Sequence, residues 1–147
     1  MAQVGLLEDN TRIARLCATM LHYAGHQVTI YEHPRECLQA LLPSVALFTG
    51  SKPCIQQLIS ASLPLPVDVL ILDLHLPEID GIEVLQYLLA SPSTKLLPLI
   101  FCTAATPYEL AHALSLAPHA SFIEKPFTYR DLTSAITNVL ALHPQSR

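Results

Sequence analysis

Apolar residues along this chain fall into two alternating patterns. Residues 3–7 form a short apolar strand, 27–31 alternate toward a second and 120–124 give a fifth, while nearly continuous apolar runs occur at 67–73 and 97–102. Runs of this length bounded by turn residues are the mark of strands buried on both faces. Between them, apolar residues recur at helical spacing. Ile13, Leu16, Cys17, Met20 and Leu21 form one stripe, Ile82, Leu85, Leu88 and Leu89 another, and Leu132, Ile136, Val139 and Leu140 a third. Boundary residues agree with this division. Asp9 or Asn10 can cap the first helix, and Gly25 suits its left-handed stop. Pro34 suits the first position of the second helix, a fourth helix starts near Pro107, and Thr128 caps the last.

The alternation is therefore (βα)5. Short connections and right-handed crossovers make this a doubly wound five-stranded parallel sheet with helices on both faces, a three-layer α/β/α domain spanning 1–147. One connection runs long. After Leu38, Leu41, Leu42, Val45 and Phe48, Gly50-Ser51 breaks the helical spacing. Lys52-Pro53 restarts it with Ile55, Leu58 and Ile59, and Pro64 and Pro66 close it. This predicts an extended helical insertion at about 43–66, before the third strand and more than an ordinary αβ connection needs. It is expected to pack on its own domain, with any leftover apolar face contacting another subunit or a target.

Composition narrows the function classes. The chain has 147 residues, 51% of them apolar and 14% charged, which suits one well-buried domain. No uninterrupted apolar run reaches the ~20 residues of a membrane helix. The start, M-A-Q-V-G-L-L-E-D, lacks the basic opening of a signal peptide, so a cytoplasmic protein is expected. The net charge is -4, and the eight Lys and Arg residues form no run. Nucleic-acid binding by this chain alone is not expected. The four cysteines lack CxxC spacing and read as buried free thiols. His22 and His26 are spaced as metal ligands on a helix, but Gly25 ends that helix first.

The chemistry gathers just beyond the strands. Glu8 and Asp9 follow the first, Asp73 the third, Thr103 the fourth and Lys125 the fifth. In a parallel sheet these ends share one edge, where α/β folds place their sites. Crowded carboxylates resist joint ionisation, and a hard cation with oxygen ligands, such as Mg²⁺, relieves them. A lysine and a hydroxyl opposite can hold phosphoryl oxygens. A carboxylate not fully engaged by the metal can act as nucleophile and become an aspartyl phosphate.

With Glu8-Asp9, D-L-H-L-P-E-I-D-G at 73–81, Thr103-Ala104 and Lys125-Pro126-Phe127 in order, the chain resembles the receiver domain of two-component response regulators, of the chemotaxis-regulator type. The resemblance implies a flavodoxin-like strand order 2-1-3-4-5. It implies Asp73 as phosphoacceptor and Mg²⁺ held by Glu8, Asp9, Asp73 and the backbone carbonyl of His75. Thr103 and Lys125 would contact the phosphoryl group, with Thr103 and Phe122 as switch residues and Lys125-Pro126 as a cis peptide. The expected donor is a histidine kinase or phosphotransfer protein, and the output a downstream protein target or a homodimer. The chain would then be no enzyme beyond Mg²⁺-dependent self-phosphorylation and self-dephosphorylation.

Other readings stay in view. The chain can be a phosphorylation-independent docking module, or the receiver portion of a longer transcriptional regulator. A phosphohydrolase of the haloacid dehalogenase type needs an acid where His75 stands. A flavodoxin-like carrier needs a phosphate-cradling first loop, which Glu8-Asp9 would oppose.

Overall fold

A computed structural model describes residues 2–42, 65–76, 80–104 and 106–142. In chain order its elements are β1 (Gln3–Leu7), α1 (Thr11–Tyr23), β2 (Gln27–Tyr31), α2 (Pro34–Leu41) and β3 (Val69–Leu72). There follow α3 (Gly81–Ala90), β4 (Leu99–Thr103), α4 (Pro107–Leu116), β5 (Ser121–Glu124) and α5 (Tyr129–Leu142). The five strands form one parallel sheet in the order β2-β1-β3-β4-β5. Most of the expected insertion, 43–64, lies outside the described residues.

Strand alternation builds two cores. Val4, Leu6, Val69, Ile71, Ile100 and Cys102 point to the side covered by α1 and α5. Leu7, Leu70, Leu72, Leu99 and Phe101 point to the side covered by α2, α3 and α4. With both faces covered, β3 carries apolar residues at every position, and all of β3 and β4 is buried. The edge strand β5 is covered less completely. Only Ile123 is buried, while Phe122 and Glu124 are exposed.

Helix ends follow local chemistry. Asn10, not Asp9, caps α1: its Oδ1 accepts from the N–H groups of Arg12 at 3.0 Å and Ile13 at 3.2 Å. At the other end Gly25, with φ +92°, donates to His22 O while His26 N donates to Leu21 O, a Schellman stop. His26 then turns its Nδ1 to accept from Ala2 N at 3.0 Å, which separates it from His22. Thr128 and Asp131 exchange side-chain to main-chain hydrogen bonds at the start of α5, as a capping box. On the α1 stripe Leu16 is the exception, at 51% exposed. The third strand starts at Val69 rather than residue 67. Asp68 binds β1 twice from just outside it, through its N–H to Gln3 O and its Oδ2 from Gln3 N. Cys17, Cys37 and Cys102 are buried free thiols, and burial pushes each up to about 12. Cys54 lies outside the described residues.

Candidate functional site

The carboxyl ends of β1, β3 and β5 are brought together by the parallel register. Leu7 and Leu72 are paired, so the residues after them, Glu8 and Asp73, emerge side by side. Asp73 N donates to Leu7 O at 3.2 Å and Glu8 N to Tyr31 O at 3.3 Å, which continues the ladder one residue past the strands. Both acids are buried, Glu8 at 2% and Asp73 at 6% exposed. Asp9 is exposed. Because Asn10 has taken the helix cap, the Asp9 carboxylate is not used for that purpose.

Lys125 arrives from β5, its N–H donating to Thr103 O at 3.3 Å, and the peptide bond to Pro126 is cis. Its ammonium donates to Glu8 Oε1 at 2.7 Å and to Asp73 Oδ2 at 3.1 Å. The other acceptor oxygen, Asp73 Oδ1, receives the N–H of His75 at 3.0 Å. Glu8, Asp9 and Asp73 each place a carboxylate oxygen within 4.8 Å of the others.

Burial and the shared ammonium of Lys125 shape the proton affinities of Glu8 and Lys125. Burial first, and then the neighbouring Asp73, push Glu8 up to about 8, although Lys125 works in the opposite direction. Burial alone would lower Lys125, but the Glu8 and Asp73 carboxylates outweigh it and hold the ammonium above its ordinary value. Glu8 Oε2 is buried without a hydrogen-bond partner. An orphaned carboxylate oxygen beside two further acids fits a hard divalent cation with oxygen ligands. Glu8, Asp9 and Asp73 are the side chains that would hold it.

The raised Glu8 has a measurable consequence. Without metal, the domain is expected to lose stability as pH rises from about 5 to 8. Glu8 holds its proton to about 8 when folded and to its ordinary 4.5 when unfolded. Over that window the folded state binds more protons, so rising pH favours unfolding, by at most about 1.4 kcal/mol per pH unit. Thermal melts in chelator at several pH values check this, and Glu8→Gln should flatten the dependence. Parallel pH curves for parent and variant would refute the raised Glu8.

The remaining expected residues sit around this centre. Thr103 is buried at the end of β4, paired with Glu124 in the β4–β5 register. Thr103 and Lys125 line a cavity of ≈430 Å³ with Ala104, Pro107, Leu114 and Phe122. Phe122 is 43% exposed there and belongs to this groove rather than the core.

Three features were not anticipated. Asp80 caps α3, its Oδ1 accepting from Ile82 N. Gly81 serves close approach rather than turn geometry: a Cβ on it would lie 2.5 Å from Leu74 Cα and 2.6 Å from Asp73 O. Glu109, on the first turn of α4, pairs with the ring of His75. That ring is exposed, but it has a partner 34 positions away, which no local pattern signals. The hydrogen bond to Glu109 holds His75 above its ordinary value, and the same contact lowers Glu109.

Residues 35–137 match the family model of the response regulator receiver domain. The chain belongs to the response regulator receiver family. Response regulator SaeR of Staphylococcus epidermidis is 26% identical over 142 residues, which cover 96% of this chain and 51% of the relative. SaeR of Staphylococcus aureus is 23% identical over 141 residues, or 95% of this chain and 51% of its own length. This receiver domain thus spans about half the length of the curated relatives it matches. Among solved structures it is similar to a response regulator from Chloroflexus aurantiacus. That likeness has a TM-score of 0.72 and 25% identity, and covers 95% of this chain and 98% of the other. The chemotaxis protein CheY4 of Vibrio cholerae shares the fold, with a TM-score of 0.71, 22% identity, and coverage of 95% and 99%. These neighbours carry the flavodoxin-like strand order that the receiver shows here. Glu8 and Asp9 precede the matched residues of the family model, so their membership in the site rests on the geometry above.

Proposed function

We propose that this receiver works as a phosphorylation switch, with Asp73 as its acceptor. The observation that carries the reading is the Lys125 ammonium bridging Glu8 and Asp73 in a nest of three acids. An Asp73 oxygen attacks the phosphorus of a phosphohistidine on a histidine kinase or phosphotransfer protein. The phosphorus–nitrogen bond breaks, the imidazole leaves with a proton, and an aspartyl phosphate remains. Mg²⁺, when held by Glu8, Asp9, Asp73 and the His75 carbonyl, supplies positive charge against the phosphoryl oxygens. Lys125 exchanges its bond to Asp73 for one to a phosphoryl oxygen, and the Thr103 hydroxyl donates another. Attack by water on phosphorus later returns inorganic phosphate and the free carboxylate.

The switch follows from the same contacts. Drawing Thr103 and Lys125 toward the new dianion changes two walls of the cavity that Phe122 also lines. Altered packing there would be read by a downstream protein or a second copy of the chain. In this reading the chain is no enzyme toward a separate substrate. It works in the cytoplasm, where such donors reside, and none of its described helices is long and apolar enough to cross a membrane.

Intact mass after exposure to a small acyl phosphate with Mg²⁺ tests the proposal. A gain of one phosphoryl group, lost on standing, is the expected result. A folded protein that stays unmodified under those conditions would defeat it.

A further inference from the structure

His75 connects the acid centre to a helix that contributes none of the site's acids. Its main-chain N–H donates to Asp73 Oδ1 at 3.0 Å, while its ring Nε2 contacts Glu109 Oε2. Glu109 is itself well anchored. It lies in the first turn of α4, with its N–H on Thr106 Oγ1 at 3.2 Å, and Ala113 of that helix is fully buried. Glu109 borders two open cavities, and His75 one of them. A cavity of ≈560 Å³ lined by Asp9, Leu74, His75, Leu76, Asp80 and Glu109 lies at the mouth of the acid cluster. A second, of ≈280 Å³, is lined by Glu109 with Leu74, Asp80, Ile82, Tyr108 and His112. The His75 side chain is exposed, so its position depends on its tether more than on packing.

We infer that Glu109 is a positioning residue for the Asp73 centre. Through the His75 ring it fixes the His75 main chain, keeping the N–H on Asp73 and the carbonyl where the cation would take it. The inference rests on the proposed phosphorylation of Asp73 and adds a residue to that machinery. Glu109 touches neither the acceptor nor the cation, so its effect is graded rather than absolute. The His75 and Glu109 side chains are 56% and 42% exposed, so substitutions there open no core. An exposed tether of this kind is worth about a two- to five-fold change in an equilibrium or rate.

The test measures Mg²⁺ affinity by titration calorimetry, because the chain has no Trp to report binding. Acyl-phosphate labelling rate is measured on the same samples. Glu109→Ala is expected to weaken Mg²⁺ and slow labelling, each by about two- to five-fold. Glu109→Gln keeps an oxygen acceptor for the ring and should recover most of both. In a His75→Ala background, Glu109→Ala should add nothing further, since the shared path is already cut. Unchanged or improved values in Glu109→Ala overturn the inference. So does a Glu109→Gln variant as impaired as the Ala variant, which would make the charge itself the active feature. Additive losses overturn it too. A parent that neither binds Mg²⁺ nor takes label would instead overturn the phosphorylation reading, so the two failures are distinct.

Discussion

Asp73→Asn is expected to take up no phosphoryl group while keeping its fold. The carboxamide has no anionic oxygen to attack phosphorus, and the adjacent Glu8 is already bonded to Lys125. Local geometry survives because the amide oxygen can still accept the His75 N–H. The substitution also removes one of the charges that raise Glu8. Stability should therefore change by no more than about 1 kcal/mol at neutral pH, as relief of crowding offsets the lost Lys125 contact. Intact mass after acyl-phosphate treatment, with a thermal melt of the same preparation, checks both parts. Labelling at the parent's rate would move the acceptor elsewhere.

Gly81→Ala should be the most damaging single-methyl change in the described chain. The added Cβ would meet Leu74 Cα at 2.5 Å, Asp73 O at 2.6 Å and Leu74 C at 2.9 Å. These are backbone atoms, so no rotamer change can give way. The start of α3 must move off the loop that leaves β3, and the Gly81 N–H to Leu74 O bond of 3.2 Å must yield with it. A loss of about 3 kcal/mol or more is expected in urea unfolding. Any folded remainder should label slowly, because the loop that moves carries Asp73. Gly25→Ala is the control. Its Cβ would meet nothing within 4 Å, but φ +92° is left-handed backbone. That change should cost only about 1–2 kcal/mol and leave labelling rate intact. A Gly81→Ala melt equal to the parent's would show that the helix start shifts freely.

Much of this molecule was legible in its residue order because its signals are local. β1, β2 and the start of α2 fall where apolar spacing, Gly25 and Pro34 put them. Acids, hydroxyl and lysine at consecutive strand ends were also legible, since a parallel sheet leaves them one edge to share. What was not legible has the opposite character. β5 falls where residues 120–124 put it, but only its edge place in the sheet decides that Phe122 and Glu124 are exposed. Sequence spacing carries no mark of which strand is outermost.

By itself, then, the sequence determined the (βα)5 alternation, the identity of the acidic nest and its lysine. Periodicity, capping and strand-end position depend only on near neighbours. Tertiary structure alone decided the rest. It assigned the α1 cap to Asn10, leaving Asp9 beside Glu8 and Asp73. It buried Glu8 deeply enough to raise it to about 8. It pressed Gly81 against the main chain of Asp73 and Leu74, and it set Glu109 against His75. Each of these depends on contact and desolvation between elements distant in the chain, which fix distances and local polarity that no stretch of residues encodes alone.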